Sequence, residues 1–311
     1  MPFAITPYLL SQLINIDTEH TLRKQFIPRI SEFDESKHFF DDPLEEDDNL
    51  VTNNIIRRYE SKAIFVCTNR CAAYCRYCTR KRKMSSEIEL DLLSSINYLN
   101  SHKEIRDVLL TGGDPLVLPD KKLEKIISCL RSIKHIEILR IGTRVPITLP
   151  MRITENLVNM LKKYHPLYLN IHFSNVSEIT NECISAIDML ADGGIPLGSQ
   201  TVLLKDVNDS ADSLIELFRK LLNIRVKPYY LYQCDKTFGC NDFYVDIDKG
   251  ISIMNVVQAH SSGLAVPHFV VDLPDKIGKC IVGPCSIKNK SNTKVLLNKD
   301  GLEYEYSNII Q

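Results

Sequence analysis

From residue 62 onward, short apolar runs alternate with segments whose apolar residues recur at helical spacing. The runs KAIFVC, DVLLTGG, EILRIG, LYLNIHF, PLGSQTVLL and VKPYYLYQ are rich in β-branched and aromatic residues and read as strands. Between them, Leu123, Ile126, Ile127 and Leu130, and later Leu214, Leu217, Phe218 and Leu221, fall on single helix faces. Six strand–helix units imply a parallel sheet. The expected fold class is α/β, a partial (β/α)6 barrel. Pattern alone does not give strand order, so a doubly wound open sheet is the alternative.

The flanks differ from this alternation. Residues 1–50 read as a short helical arm with Leu9, Leu10, Leu13 and Ile14 apolar, followed by the acidic stretch DDPLEEDDN at 41–49, a solvated loop by composition. After a helix around 247–261 comes a further apolar strand, PHFVVDL at 267–273, and then VLLNKDGLEYEY, a hairpin turning at Asp300-Gly301. With no flexible linker, the expected division is an arm over 1–50, a barrel over 51–262 and a C-terminal segment with a hairpin over 263–311.

Composition adds exclusions. With 44% hydrophobic and 25% charged residues, and 38 basic against 39 acidic side chains, the chain has no charge excess that would indicate nucleic acid or a membrane surface. The start MPFAITPYLLSQLIN lacks a basic leader and a cleavage site, and no apolar run approaches spanning length, so the cytoplasm is expected. In a reducing compartment, clustered members among ten cysteines suggest metal or redox chemistry.

That cluster is Cys71-x3-Cys75-x2-Cys78, directly after the first strand of the alternation. Three thiolates can bind three irons of a four-iron cube and leave the fourth open to a ligand. A zinc knuckle built on Cys75 and Cys78 competes, but it needs a second half-site that the sequence lacks. Cys67, inside KAIFVC, reads as a small apolar residue. In LYLNIHFS, alternation puts Tyr168, Asn170, His172 and Ser174 on one face, opposite Leu169, Ile171 and Phe173. A polar face on a buried strand calls for a hydrogen-bonding ligand, with a satisfied core histidine as the alternative. The basic run Arg80 to Lys83 reads as solvated or facing nucleic acid, which leaves a metal-dependent nucleic-acid-binding or modifying protein as the competing class; iron and sulfide content separates the two.

The CxxxCxxC spacing is similar to that of the radical S-adenosylmethionine superfamily. The blocks CAAYCRYCTRKRK, GGDPL, RIGTRVPITLPMRIT, LNIHF, QTVLLKDVND and YYLYQCD resemble the lysine 2,3-aminomutase family nearly throughout residues 50–307. The resemblance implies the superfamily's partial barrel and an isomerase that moves the amino group of L-lysine to give β-lysine, either free or for elongation factor P, or that acts on another basic amino acid. It implies a [4Fe-4S] cluster on Cys71, Cys75 and Cys78, with S-adenosylmethionine and pyridoxal phosphate.

By the same resemblance, Gly112, Gly113 and Asp114 form the turn at the methionine end of S-adenosylmethionine, and His172 and Gln200 lie near its adenosyl group. Arg80 takes the substrate carboxylate, and Asp235 and Asp272 take its far ammonium. Arg58 and Tyr59 flank pyridoxal phosphate, and Lys279, seven residues after Asp272, bonds to it. Lys276 competes for that role, because the family's glycine run reads Asp275-Lys276-Ile277-Gly278 here. The implied partners are an amino-acid substrate, a flavodoxin- or ferredoxin-type electron donor and further copies in a homo-oligomer. The family's metal-binding cysteines beyond the hairpin have no counterpart, so no structural zinc is expected.

Overall fold

The computed structural model describes residues 2–14, 16–33, 38–84, 86–274 and 277–283 in full, and the strands 287–290, 293–297 and 303–306 by their backbone. Ten strands form the main sheet: β1 (Leu50–Thr52), β2 (Ile55–Ile56), β3 (Lys62–Thr68), β4 (Asp107–Gly112), β5 (Ile138–Thr143), β6 (Leu167–His172), β7 (Leu197–Leu203), β8 (Lys227–Gln233), β9 (His268–Leu273) and β10 (Gly278–Ile281). They pair in chain order without a reversal. A doubly wound sheet requires such a reversal, so the sheet is a rolled, unclosed barrel. β3 to β9 run parallel, and the strand at 268–273 thus continues the run of six. β1, β2 and β10 are antiparallel additions at the two edges.

The outer face of the sheet is covered as the helical periodicity predicts. Leu123, Ile126, Ile127 and Leu130 of the helix Asp120–Arg131 are fully buried, as are Leu214, Leu217, Phe218 and Leu221 of Ala211–Asn223. Leu169, Ile171 and Phe173 bury against such helices, which turns the polar face of β6 toward the barrel interior. Hydroxyl caps start the helices after the strands: Thr154, Thr180 and Ser210 accept from Leu157 N, Cys183 N and Ser213 N. No helix among the described residues is long and apolar enough to cross a membrane.

The arm packs more tightly than its pattern suggests. In the helix Pro7–Leu13 only Leu9 and Leu13 are buried, while Leu10 and Ile14 are exposed, so the expected four-residue stripe narrows to one i, i+4 pair. That pair packs with Leu22, Phe26 and Ala73, which seats the arm on the cysteine loop. Backbone bonds from Tyr74 N to Ala4 O (2.9 Å) and from Arg76 N to Gln25 O (2.8 Å) add to this, as does the buried Arg76–Glu32 pair.

The acidic stretch is not the solvated loop its composition implies. Glu46 and Asn49 are buried. Glu46 lies 2.7 Å from Arg80, Asp42 lies 2.6 Å from Arg82, and Asp47 pairs with Lys83. The acidic and basic runs, 34 residues apart between Glu46 and Arg80, neutralise each other as a strap over the cysteine loop. In the C-terminal segment, β11 (Ile287–Lys290), β12 (Thr293–Leu297) and β13 (Glu303–Tyr306) form a separate antiparallel sheet. β12 and β13 make the expected hairpin, while its turn at Asp300-Gly301 lies outside the described residues.

The end of β4 fixes the cysteine loop by close contact. Gly112 has φ +131°, and a Cβ there would lie 2.1 Å from Thr68 O; at Gly113 it would lie 2.1 Å from Arg70 O. The glycines are therefore demanded by neighbouring backbone. Gly113→Ala is expected to lower stability by about 1–3 kcal/mol or more, because main chain rather than a flexible side chain must yield. Urea unfolding of both proteins checks this; an unchanged midpoint would show that the backbone crossing tolerates a Cβ.

Candidate active site

The loop after β3 brings Cys71, Cys75 and Cys78 to one wall of a cavity of about 200 Å³, which Tyr74, Met84, Thr237 and Phe238 also line. Cys67 is turned away, buried within the sheet with its Sγ 3.3 Å from Thr111 O. Burial, with Cys75 beside it, pushes the Cys78 thiol up to about 12. Burial and then Asp114 raise Cys71, with the other two thiols adding to the shift. Adjacent thiolates need a compensating cation, and three soft donors on one wall suit iron in a sulfide cluster. Among the described residues no three His, Cys, Asp or Glu side chains close on a single-ion site; the thiols share one wall of this first cavity.

In the turn after β4, the Asp114 carboxylate accepts from Thr143 Oγ1 (2.8 Å), Arg144 N (2.6 Å) and Leu116 N (3.0 Å). Burial raises its pKa against these donors. With its oxygens so engaged, Asp114 ties the β4 and β5 turns together. Backbone is what this turn offers a ligand.

His172 on β6 and Gln200 on β7 are register partners. His172 Nε2 is 3.1 Å from Tyr77 OH, which also lies 2.7 Å from Ser174 Oγ. Burial, assisted by the Arg144 charge, pushes His172 down to about 3, so the ring is neutral near pH 7. Gln200 Nε2 lies 3.4 Å from Tyr232 OH, and Asn170 Nδ2 is buried without a partner among the described residues.

A second cavity, of about 370 Å³, is lined by Glu46, Arg58, Tyr59, Lys62, Gln200, Tyr232, Asp272 and Lys279. Lys279 stands opposite Asp272 in the β9–β10 register, with Nζ 2.7 Å from Asp272 Oδ2 and 5.7 Å and 5.4 Å from the ring centroids of Tyr59 and Tyr232. The nearest charge to this amine is a carboxylate. Arg58 reaches Asp272 Oδ1 at 3.1 Å and Leu273 O at 2.6 Å, and its buried Nε has no partner among the described residues. A lysine amine, two aromatic rings and a guanidinium with an open donor are groups that suit pyridoxal phosphate. Lys276 lies outside the described residues.

Asp235, just beyond β8, belongs to the same charge system. Burial first, and Asp272 second, push its carboxyl up to about 7, while Lys279 and Arg58 pull the other way. None of the ion pairs among the described residues includes it. Arg80 Nε and Nη2 both reach Glu46 Oε1, at 2.9 and 2.7 Å, and Nη1 lies 3.3 Å from Gly112 O. Sequence reasoning missed Glu46, Tyr77, Arg144 and Tyr232. Charge complementarity between residues 41–49 and 80–83 is the signal by which Glu46 could have been found.

The fold and this site define a radical S-adenosylmethionine enzyme, and comparisons agree. The Radical SAM superfamily model matches residues 65–218, and a lysine-2,3-aminomutase model matches 254–308. A radical SAM methyltransferase from Sphaerobacter thermophilus shares the fold at a TM-score of 0.52, with 13% identity over 70% of this chain and 68% of that one. The L-lysine 2,3-aminomutase of Clostridium subterminale is 44% identical over 98% of this chain and 74% of its own length, and that of Fusobacterium nucleatum is 45% identical over 98% and 73%. A glutamate 2,3-aminomutase of Clostridioides difficile is 40% identical over 95% and 71%. The chain belongs to the lysine 2,3-aminomutase family of radical S-adenosylmethionine isomerases, which work with a [4Fe-4S] cluster, S-adenosylmethionine and pyridoxal phosphate.

The Asp235 carboxyl is expected to titrate near 7, well above the ordinary carboxylate value, and Asp272→Asn is expected to lower that midpoint. Because the folded form keeps a proton that the unfolded form has released, the associated stability is full in acid and is lost as pH rises toward about 7. Infrared difference spectra of wild type and Asp235→Asn across this range read the midpoint directly. A wild-type band titrating near pH 4 would contradict the charge coupling.

Proposed function

We propose that this chain interconverts L-lysine and β-lysine, with Cys71, Cys75 and Cys78 ligating three irons of the cluster. In this reading the turn at Gly112, Gly113 and Asp114, with His172 and Gln200, receives S-adenosylmethionine. Arg58, Tyr59 and Lys279 receive pyridoxal phosphate. The bound cofactors supply an organic radical that takes a hydrogen atom from the substrate and a carbonyl carrier for the migrating amino group.

The protein's own part is binding and orientation. Arg80, held on one side by Glu46, offers its remaining guanidinium donors to the substrate carboxylate. Lys279 neutralises Asp272 in the present state. When Lys279 turns to its cofactor, Asp272 and Asp235 become two facing carboxylates, whose repulsion a substrate ammonium relieves. The observation that carries the choice of lysine is Asp235, half-buried, without an ion pair among the described residues, and raised first by burial and then by Asp272. A carboxylate-tailed substrate such as glutamate would add a third negative charge there.

The same proposal takes residues 1–50 as an arm bracing the cysteine loop, 51–262 as the barrel and 263–311 as the lysine-bearing segment. It assigns the enzyme to the cytoplasm, with a flavodoxin- or ferredoxin-type electron donor and a homo-oligomeric state.

Replacing any of Cys71, Cys75 or Cys78 with Ala is expected to remove the cluster and S-adenosylmethionine cleavage, whereas Cys67→Ala keeps both. Iron and sulfide content after anaerobic purification decides it, and cluster loss confined to the Cys67 variant would reverse the ligand assignment.

Asp235→Asn is expected to cost roughly 2–5 kcal/mol in kcat/KM for lysine, the usual effect of truncating one partner of a buried charge contact, with cluster content unchanged. Asp272→Asn acts in the same direction, and also releases Arg58. Product analysis with lysine, arginine, glutamate and alanine tests the substrate; a wild type that prefers glutamate or alanine would sink the assignment.

A further inference from the structure

Arg144, immediately after β5, donates from Nη1 to Cys75 Sγ at 2.7 Å. Its Nη2 reaches Glu178 Oε1 at 2.8 Å and Gln25 Oε1 at 2.5 Å. The guanidinium carbon lies 4.5 Å from the Phe26 ring centroid and 5.6 Å from that of Tyr77. The residue's backbone N is fixed by Asp114, and Glu178, fully buried, accepts from Ser174 N with its other oxygen at 2.9 Å. Arm, cysteine loop, β4 turn and β6 turn thus all converge on one buried cation, whose sulfur contact among the described residues is Cys75.

A purely structural ion pair would need Glu178 alone. The geometry instead aims one edge of the fork at a thiol and the other at a carboxylate. Reduction of an iron–sulfur cluster adds one negative charge, which a charged donor on a ligating sulfur stabilises more than the oxidised form. In a site screened from water such a fixed charge acts strongly. The Glu178 carboxylate, on the far side of the same guanidinium, acts in the opposite sense.

We propose that Arg144 is a positioning residue that raises the reduction potential of the cluster through Cys75, and that Glu178 limits the rise. This rests on the assignment of Cys75 as a cluster ligand. The step concerned is addition of one electron from an external donor to the oxidised cluster, without bond formation or proton transfer at Arg144.

The test is a redox titration of the anaerobically reconstituted full chain, followed by electron paramagnetic resonance of the reduced cluster, for wild type, Arg144→Gln, Arg144→Lys and Glu178→Gln. Iron and sulfide are measured on each sample. Arg144→Gln is expected to keep its cluster while making reduction at least tenfold less favourable, a shift of about 59 mV to more negative potential for a one-electron couple. Arg144→Lys recovers part of the loss, and Glu178→Gln moves the midpoint the other way. A loaded Arg144→Gln cluster with an unmoved midpoint, or shifts of the same sign in the Arg144→Gln and Glu178→Gln variants, would overturn the proposal. Where Arg144→Gln fails to hold a cluster, Glu178→Gln alone decides, and absence of an upward shift overturns it. A wild type without four irons and sulfide would remove the cluster assignment itself.

Discussion

An unclosed barrel has a seam that backbone hydrogen bonds do not join, and here the seam is held by charge. Arg58, just past β2, crosses to Asp272 and to Leu273 O on β9, while Tyr59 packs on Gly278, where a Cβ would come within 2.6 Å of its ring. Lys279 completes the chain from β10. A seam closed this way can take a ligand without unpairing a sheet. The groups that close it are also those suited to a carboxylate, an ammonium or a phosphate, so closure and binding use the same side chains. Gly278, at φ +84° against the Tyr59 ring, keeps that approach close.

The other irregular part, the cysteine loop, has little regular structure of its own and is braced from two sides. The arm grips it through Arg76 and Glu32 and through backbone bonds to Ala4 and Gln25. The acidic strap grips it through Arg80, Arg82 and Lys83. Buried ion pairs contribute little net stability, but losing one partner is costly, so they define geometry better than they add to stability. That suits a loop whose three thiols must sit on one wall.

Much of this was legible because local signals carry it. The strands at 62–68, 107–112, 138–143, 167–172, 197–203 and 227–233 follow from apolar runs, and Leu123 to Leu130 from period. The cysteine spacing needs only eight consecutive residues. What could not be read are pairings between distant segments. Composition made 41–49 look solvated because the partners of Glu46 and Asp42 lie in the basic run 80–83, far along the chain. Leu10 and Ile14 looked like core because a stripe does not show how wide a face its neighbour covers. The carboxylate facing Lys279 depends on the β9–β10 register, a pairing between strands that a linear pattern does not show.

The charge system around Asp272 gives the site its direction. Arg58 and Lys279 together satisfy Asp272, and Glu46 satisfies Arg80, which leaves Asp235 as the carboxyl without an ion pair among the described residues. Titrating at about 7, it is divided between its two forms at neutral pH. An ammonium arriving beside it favours the carboxylate and drives the proton off. A carboxylate arriving there would hold the proton on, and the ligand would then face one neutral acid and one charged one, with the Coulomb repulsion from Asp272 offset only in part by its cationic partners. Binding of an ammonium-tailed amino acid is thus coupled to proton release, and grows stronger as pH rises through about 7, while binding of an acidic one has the opposite slope. Discrimination between the two tails follows from the position of a single unpaired carboxyl, before any shape complementarity is considered.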